Sequence, residues 1–146
     1  MASATSQGSS EVTQHSDFDA GGTQRMLNFN SVLIGSMQAE VLAAFYAKVF
    51  AKPADFADGG YSGWQVGSAF LTVGPHSEMK GSAKEPGRVL LNFETAQVKE
   101  EFARIKAVGA VVVKEPYQMD GMSGWIATLA DPDGNYFQLM SPMGPA

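Results

Sequence analysis

The sequence predicts an α+β fold built from two similar halves. Seven apolar residues recur at helical spacing and form two stripes, Leu42, Phe45, Tyr46 and Val49 in the first half and Val98, Phe102 and Ile105 in the second. Short segments rich in β-branched and aromatic residues stand before and after each stripe, which is typical of strands. Each half therefore indicates a strand, a helix and two or three further strands, and the order of elements repeats along the chain.

Each half opens with a strand that leads into a helix. Apolar residues alternate or cluster from Leu27 to Ser36 and from Arg88 to Glu94, as they do in strands. Ser36 and Thr95 stand where a side-chain oxygen can cap the following helix. Gly109 ends the second helix, because glycine adopts the positive φ that closes a helix without a steric penalty.

Further strands complete each half. We predict strands at Tyr61–Val66 and Ala69–Val73 in the first half, and at Val111–Lys114, Gly124–Leu129 and Tyr136–Met140 in the second. The last strand follows a segment typical of a tight turn, in which Pro132 fixes φ and Gly134 accepts a positive φ. The aspartates of this segment, Asp131 and Asp133, are expected to bond to the backbone, not to act in catalysis.

The 146 residues of the chain suit a single domain. Residues 1–25 are rich in Ser, Thr, Gln, Gly and Ala and nearly lack large apolar groups, so we expect a disordered polar leader. The domain is expected to span residues 26–142, with a first module at about 27–86 and a second at about 87–142. Met26, where the structured pattern begins, could be the native start of the chain.

Composition and charge exclude several classes of function. The formal net charge is −5 and the few Lys and Arg residues are dispersed, so we expect no nucleic-acid surface. No apolar run approaches the roughly 20 residues of a membrane-spanning helix. The absence of cysteine removes disulfides, thiolate metal sites and a cysteine nucleophile. It also fits a reducing cytoplasm, where we expect the protein to act.

Several segments together resemble the vicinal oxygen chelate superfamily, which includes glyoxalase I, extradiol dioxygenases, and the bleomycin and fosfomycin resistance proteins. Ser31–Ile34 followed by Phe45–Phe50 is similar to the family's opening strand and its FYxxxL helix. Phe102–Ala110 is similar to the second helix with its glycine stop, and Asp131–Asn135 to the closing turn. In this order the segments cover nearly all of residues 27–142.

The resemblance implies an architecture of two paired βαβββ modules whose sheets curl into an open cup that holds the ligand, with a homodimer as a common assembly. It also implies where metal-dependent members place their ligands. The corresponding positions are Ser31 and Leu90 for the two histidines, Phe70 for a nearby glutamate and Gln138 for the final glutamate.

Those four side chains do not suit a divalent metal. A catalytic site needs about three protein ligands of His or carboxylate type. Phe and Leu have no ligand atom, Ser is a poor ligand, and the amide of Gln138 brings no charge to offset the dehydration of the ion. We therefore expect a cup without a metal or other cofactor. The alternative is a divalent metal held by residues elsewhere in the sequence.

Two tryptophans stand at matching places in the halves, because Trp64 and Trp125 each follow a Ser-Gly pair. Together with Tyr61, these indoles could line the mouth of a cup and stack on a flat, apolar or cationic ligand. The alternative is that both indoles fill the core or a subunit interface.

Three polar residues are candidates for orienting a ligand. Gln138 can donate and accept hydrogen bonds, which suits a carbonyl or amide group on a small molecule, or it can bond to a neighbouring strand or a buried water. Ser31 and Asn92 are the others, and their facing depends on the register of their strands. The predicted ligand-binding residues are Ser31, Tyr61, Trp64, Asn92, Trp125 and Gln138.

The favoured hypothesis is a metal-free protein that binds a small molecule, for sequestration or resistance. One alternative is a glyoxalase-like lyase or isomerase, for which His76 with Glu78, or Glu94, could supply acid–base chemistry. His76 is otherwise interpreted as an exposed loop residue. A third hypothesis is a dimeric interaction module that binds no ligand.

Overall fold

The computed structural model describes residues 26–142. The chain divides into two units, Met1–Asn30 and Ser31–Ala146. In the first unit, the described residues 26–30 form neither helix nor strand, and Leu27 and Phe29 are exposed. The predicted leader, residues 1–25, lies outside the described residues. The second unit contains every helix and strand that the described residues form.

The first module runs in the order strand, helix and three strands. Its elements are β1 (Ser31–Ser36), α1 (Ala39–Phe50), β2 (Phe56–Asp58), β3 (Tyr61–Val66) and β4 (Ala69–Pro75). The buried residues of α1 are those of the predicted stripe.

The second module repeats this order after a short 3-10 turn. Its elements are β5 (Leu91–Glu94), α2 (Val98–Ala107), β6 (Val111–Tyr117), β7 (Ile126–Ala130) and β8 (Tyr136–Met140). The predicted stripe again forms the buried side of the helix. Neither α1 nor α2 has the length and apolar content needed to cross a bilayer.

Both helices start in the same way. The Ser36 hydroxyl accepts the backbone N–H of Gln38 at 3.0 Å, and the Thr95 hydroxyl accepts the backbone N–H of Gln97 at 3.1 Å. The glutamines are the N-cap residues, so each hydroxyl closes a turn just before its helix. Ser36 and Thr95 therefore lie at the helix starts as predicted, but each stands two positions before the N-cap residue.

Each module forms one four-stranded sheet. The strand order is β1-β4-β3-β2 in the first sheet and β5-β8-β7-β6 in the second. In both sheets the first and last strands of the module pair in parallel, and the remaining neighbours are antiparallel. The two βαβββ modules, with sheets that do not close into a barrel, confirm the predicted fold class.

Some boundaries differ from the prediction. β1 begins at Ser31, four residues later than expected from the sequence. Leu27 and Phe29 alternate with polar residues as in a strand, but residues 27–30 form no strand structure. The three-residue β2 is too short to show a period of its own. β6 continues through Pro116 to Tyr117, which is possible because β6 is an edge strand with register shifts around Lys114.

The helices cover one face of each sheet. Leu71 and Val73 of β4 are buried on the helix side, so the alternating residue Thr72 lies on the opposite face. Phe137 and Leu139 of β8 are buried in the same way, so Gln138 lies opposite. We call the face of the first sheet that carries Thr72 the first open face. The face of the second sheet that carries Gln138 is the second open face.

Both covered faces contribute to one hydrophobic core. Phe137 of the second sheet lies 6.1 Å between ring centroids from Phe45 and also from Tyr46, both in α1 of the other module. Phe50 of α1 reaches Phe93 of β5 at 5.4 Å. Because both sheets bury their helix side in this common core, each open face lies on the far side of its own sheet from the core.

A buried carboxylate also joins the modules. Asp131 is only 2% exposed, and its Oδ2 accepts the Tyr46 hydroxyl at 2.7 Å. Its Oδ1 accepts the backbone N–H of Asp133 at 2.9 Å and that of Asn135 at 3.0 Å. Gly134, with φ of 82°, donates its N–H to the Asp131 carbonyl at 2.8 Å. One side chain thus shapes its own turn and holds α1 of the other module.

Burial affects the pKa values of both Asp131 and Tyr46. Burial raises the pKa of Asp131, and the hydrogen bonds from Tyr46, Asn135 and Asp133 lower it against that effect. Burial also raises the pKa of Tyr46 well above its ordinary value, and the negative charge of Asp131 adds to the rise. The phenol is therefore held in its neutral, donating form.

Arg104 of α2 makes a third contact between the modules. Its guanidinium donates to the carbonyl of Lys48 at 2.8 Å and to that of Val49 at 2.7 Å, in the last turn of α1. Glu101 accepts from the same group at 2.7 Å and fixes its orientation. A cation at the end of a helix stabilises carbonyls that have no partner within the helix.

Replacing Tyr46 by Phe tests the buried contact between the modules. The variant keeps the ring but removes the hydroxyl donor from Asp131, so we expect the free energy of unfolding to fall by about 1–3 kcal/mol. Urea denaturation followed by circular dichroism measures the change. Tyr117→Phe, which removes a less buried hydroxyl, is the control. An unchanged midpoint for Tyr46→Phe would contradict the role of this hydrogen bond.

The same phenol predicts a loss of stability at alkaline pH. Because the pKa of Tyr46 is raised in the folded state, its contribution is fully present below the unfolded pKa of about 10 and is lost as the pH rises further. Urea curves at about pH 8 and about pH 11 should show a larger loss for the wild type than for Tyr46→Phe. Equal losses in the two proteins would count against the raised pKa.

Candidate ligand-binding site

Three polar side chains come together on the second open face. Asn92 and Gln138 are register partners on β5 and β8, and Gln138 is the partner of Thr128 on β7. The Gln138 amide donates to Thr128 Oγ1 at 3.1 Å. Thr128 is buried between Gln138 and its β6 partner, the exposed Lys114, so a row of polar side chains crosses this face from the β6 edge to Asn92 at the β5 edge. Its two amides offer both donors and acceptors to a ligand.

A cavity of about 530 Å³ borders this polar row. Val111, Ala130 and Tyr136 form the adjacent row of register partners on the same face, and all three line the cavity. Ser82 and Ala83, from the loop between the modules, form another wall. The cavity is open to solvent and has both polar and apolar walls, and its volume lies in the range of small-molecule sites.

The loop is held in place beside the cavity by one backbone contact. The N–H of Ala83 donates to the carbonyl of Asp133 at 2.8 Å. The turn that Asp131 organises therefore also positions the wall of the cavity, which connects the structural turn to the candidate site.

Ser31 and Tyr61 lie on the first open face, on the other sheet. Ser31 is the register partner of Phe70. The Tyr61 ring lies against Gly74, where a Cβ atom would be 2.1 Å from Tyr61 Cδ1. The predicted set is thus divided, with Asn92 and Gln138 on one open face and Ser31 and Tyr61 on the other.

Trp64 occupies the core. It is 1% exposed, its ring packs against Phe50 with centroids 5.6 Å apart, and its indole N–H donates to the Lys52 carbonyl at 3.1 Å. Trp64 pairs with Leu71 on the helix side of the first sheet, because side chains alternate along the strand. The structure therefore corrects its predicted place at the mouth of a cup and supports the packing alternative.

Trp125 also lies on the helix side. It precedes β7, is partly buried against the core, and has the Lys99 Nζ of α2 at 3.7 Å from its ring centroid. Its backbone N–H donates to Ser141 Oγ at 2.8 Å. Both indoles thus lie on the helix side of their sheets, Trp64 buried within β3 and Trp125 partly buried just before β7. The predicted place of Trp125 at the mouth of a cup is therefore corrected as well.

A family model described as a glyoxalase-like domain matches residues 31–140, which include both modules. The chain belongs to this glyoxalase-like family. The match agrees with the predicted resemblance to the vicinal oxygen chelate superfamily. No curated protein matches the sequence.

Solved structures share the fold of this glyoxalase-like domain. A glyoxalase/bleomycin resistance protein/dioxygenase family enzyme from Burkholderia phytofirmans PsJN has a TM-score of 0.66 and 22% identity, and the match covers 80% of this chain and 100% of the other. For a glyoxalase-related enzyme from Fulvimarina pelagi the TM-score is 0.68, with 18% identity and 82% and 94% coverage. For lactoylglutathione lyase from Agrobacterium tumefaciens the TM-score is 0.62, with 16% identity and 80% and 95% coverage. At these identities the likeness concerns the fold.

The positions where the family resemblance implies metal ligands do not fit a divalent metal in this glyoxalase-like domain. Ser31 and Phe70 lie side by side on the first sheet, Gln138 lies on the second, and Leu90 precedes β5. Gln138 supplies one neutral amide, and the other three side chains supply no imidazole or carboxylate. Within residues 26–142, no three His, Cys, Asp or Glu side chains come close enough together to hold a metal ion.

The acid–base alternative rests on three residues at two places. The Cβ of His76 lies over Gly35 on the first open face, 2.9 Å from where a Cβ of Gly35 would be. His76 Nδ1 accepts the backbone N–H of Glu78 at 3.3 Å, so this contact does not use the Glu78 carboxylate. Glu94 lies on the second open face beside Met140. The structure thus describes no carboxylate that orients the imidazole.

Sequence reasoning missed Thr128 and the residues that line the cavity. Thr128 is the polar residue within the apolar strand β7, a signal that gains meaning once the register places it beside Gln138. Val111 and Tyr136 look like ordinary strand residues in the sequence. Their contribution depends on the loop that folds over them, which no local pattern predicts.

The Trp125→Phe variant tests the placement of Trp64. In this variant Trp64 is the single tryptophan of the chain, so the fluorescence reports on its surroundings alone. Because this indole is buried, we expect blue-shifted fluorescence and weak quenching by acrylamide in the folded protein. Urea-unfolded protein is the control and should be quenched several-fold more strongly. Equal quenching before and after unfolding would contradict a core position.

Proposed function

We propose that this glyoxalase-like domain binds a small organic molecule at the second open face, without a resident metal. The observation that carries the proposal is the polar row of Asn92, Gln138 and Thr128 beside the cavity of about 530 Å³. A few polar groups that converge beside mostly apolar walls are the usual form of a small-molecule site.

Each part of this row has a distinct role in the proposal. Thr128 engages one end of the Gln138 amide and so fixes its orientation, which leaves the other end to the ligand. Asn92, on the neighbouring strand, adds a second amide at the exposed end. A ligand with a carbonyl or amide group suits these partners, and its apolar part suits the walls formed by Val111 and Tyr136.

The proposed function is binding, with sequestration or resistance as its consequence for the cell. The donor set described above supports the metal-free form, because neutral amides orient a ligand but do not offset the charge of a divalent ion. A reducing cytoplasm is the proposed location, which the absence of cysteine favours.

We further propose that two copies of the chain form the complete site. Each open face lies on the far side of its sheet from the shared core, and the first open face exposes Leu33 at 60%. A second copy that covers such groups would remove apolar surface from water. If the first open face of one copy meets the second open face of the other, Ser31 and Tyr61 join Asn92 and Gln138 around one ligand.

A thermal-shift screen followed by titration calorimetry tests the binding function, because a ligand that binds only the folded state must raise the melting temperature. For a compound found in this way, we expect Gln138→Met to weaken the affinity about tenfold, the effect of losing one hydrogen bond of about 1.4 kcal/mol. Gln97→Met, the same substitution at an exposed helix start, is the control and should leave the affinity unchanged.

Two outcomes of the screen would contradict the proposal. Affinities that are equal in the wild type and Gln138→Met would place the ligand elsewhere. A broad screen without any ligand, for a protein that is dimeric in analytical ultracentrifugation, would instead favour an interaction module.

Elemental analysis tests the metal-free form of the proposal. The purified protein should contain Zn, Ni, Mn and Fe well below one equivalent, and dialysis against EDTA should change neither the melting temperature nor the ligand affinity. A stoichiometric metal whose removal abolishes binding would favour the lyase or isomerase alternative.

A further inference from the structure

We infer that the first open face selects planar aromatic ligands that carry a positive charge. The inference rests on the proposed function, since it names the class of ligand for the same two-copy site. Three observations carry it: the way two aromatic rings lie on the sheet, a third exposed ring beside them, and the charge of that face.

Two aromatic side chains lean along the first open face, each towards a glycine of the neighbouring strand. Phe70 of β4 reaches over Gly63 of β3, where a Cβ would be 2.5 Å from Phe70 Cε2. Tyr61 of β3 reaches over Gly74 of β4, where a Cβ would be 2.1 Å from Tyr61 Cδ1. Glycine in a strand permits this close approach. Because the rings rest on the backbone of the next strand, they lie along the sheet and leave one side to the open space.

A third ring extends this aromatic surface. Phe56 of the edge strand β2 is the register partner of Gly63, so it lies on the same face as Phe70 and Tyr61. Phe56 is 48% exposed and Tyr61 is 39% exposed. Aromatic rings that stay exposed in neighbouring strands can stack on a flat ligand over more than one ring.

The charge of the first open face is complementary to a cation. Asp58 of β2 is the register partner of Tyr61 and therefore lies at the edge of the aromatic surface. Among the residues of β1 to β4, Asp58 alone carries a charge. These four strands therefore place a carboxylate on the first open face and no Lys or Arg. On the second open face, which meets it in the proposed two-copy site, the register places Lys114 and Glu94, whose opposite charges offset each other. A cationic ring system can therefore stack on Tyr61 and approach the Asp58 carboxylate at the same time.

The two properties, aromatic and cationic, depend on different residues and can be tested separately. The probes are N-methylquinolinium, neutral quinoline at about pH 8, and the saturated cation N,N-dimethyldecahydroquinolinium, each titrated into the full chain by calorimetry. We expect N-methylquinolinium to bind about tenfold more tightly than either of the other two, because only this compound makes both interactions.

Two variants assign the preferences to residues. Asp58→Asn should reduce the preference for N-methylquinolinium over quinoline, and Phe70→Leu should reduce its preference over the saturated cation. Glu100→Gln makes the same change of charge at an exposed position of α2 and should alter neither ratio. Circular dichroism and the melting temperature establish that each variant is folded.

The results that overturn the inference differ from those that overturn the proposed function. Equal affinities for the three probes, or ratios that neither variant changes, exclude this ligand class, while ligands sensitive to Gln138→Met would still support the binding function. If no probe binds but Asp58→Asn or Phe70→Leu weakens self-association in ultracentrifugation, the aromatic face is an interface between copies and the inference fails.

Discussion

Burial of both sheets against one aromatic core determines the arrangement of the whole domain. Phe137 of the second sheet contacts Phe45 and Tyr46 of α1, so the helix of the first module helps to cover the sheet of the other. Side chains alternate along a strand, and therefore a residue next to a core position must face away from the core. Gln138 lies on an open face because Phe137 and Leu139 are buried, and a slip of one residue would exchange these positions. The chemistry of the open faces is thus a consequence of core packing.

The buried Asp131 carboxylate connects the turn, the helix and the candidate site. A carboxylate removed from water is destabilising unless hydrogen bonds replace its hydration. Here the backbone of its own turn and the Tyr46 hydroxyl supply them, so the turn and α1 adopt positions that depend on each other. The same turn holds the loop beside the cavity through the Asp133 carbonyl. The acidic pair of Asp131 and Asp133 therefore has a structural role, and this role extends to the wall of the candidate site.

The sequence predicts those features that depend on local periodicity. The helical stripes and the bounds of β8 agree with the structure, because burial on one side imposes a period that composition alone displays. The placement of Trp64 and Trp125 could not be predicted in this way, since an indole suits a core as well as a ligand site and only the register decides between them. The cavity could not be predicted from the sequence for another reason. Its walls come from β6, β8 and the loop at Ser82, which are brought together only by tertiary structure.

The two open faces differ in chemistry, and this difference supports the proposal that an organic molecule binds between them. The second face presents the amides of Asn92 and Gln138, which orient a ligand through directional hydrogen bonds. The first face presents Tyr61 and Phe70, which contribute contact area with little loss of side-chain freedom. In the proposed two-copy site, the amides and the rings together would hold both ends of an amphipathic molecule. Neutral amides and aromatic rings on the open faces therefore suit the binding function proposed above, in which affinity depends on burial and on complementarity to the ligand.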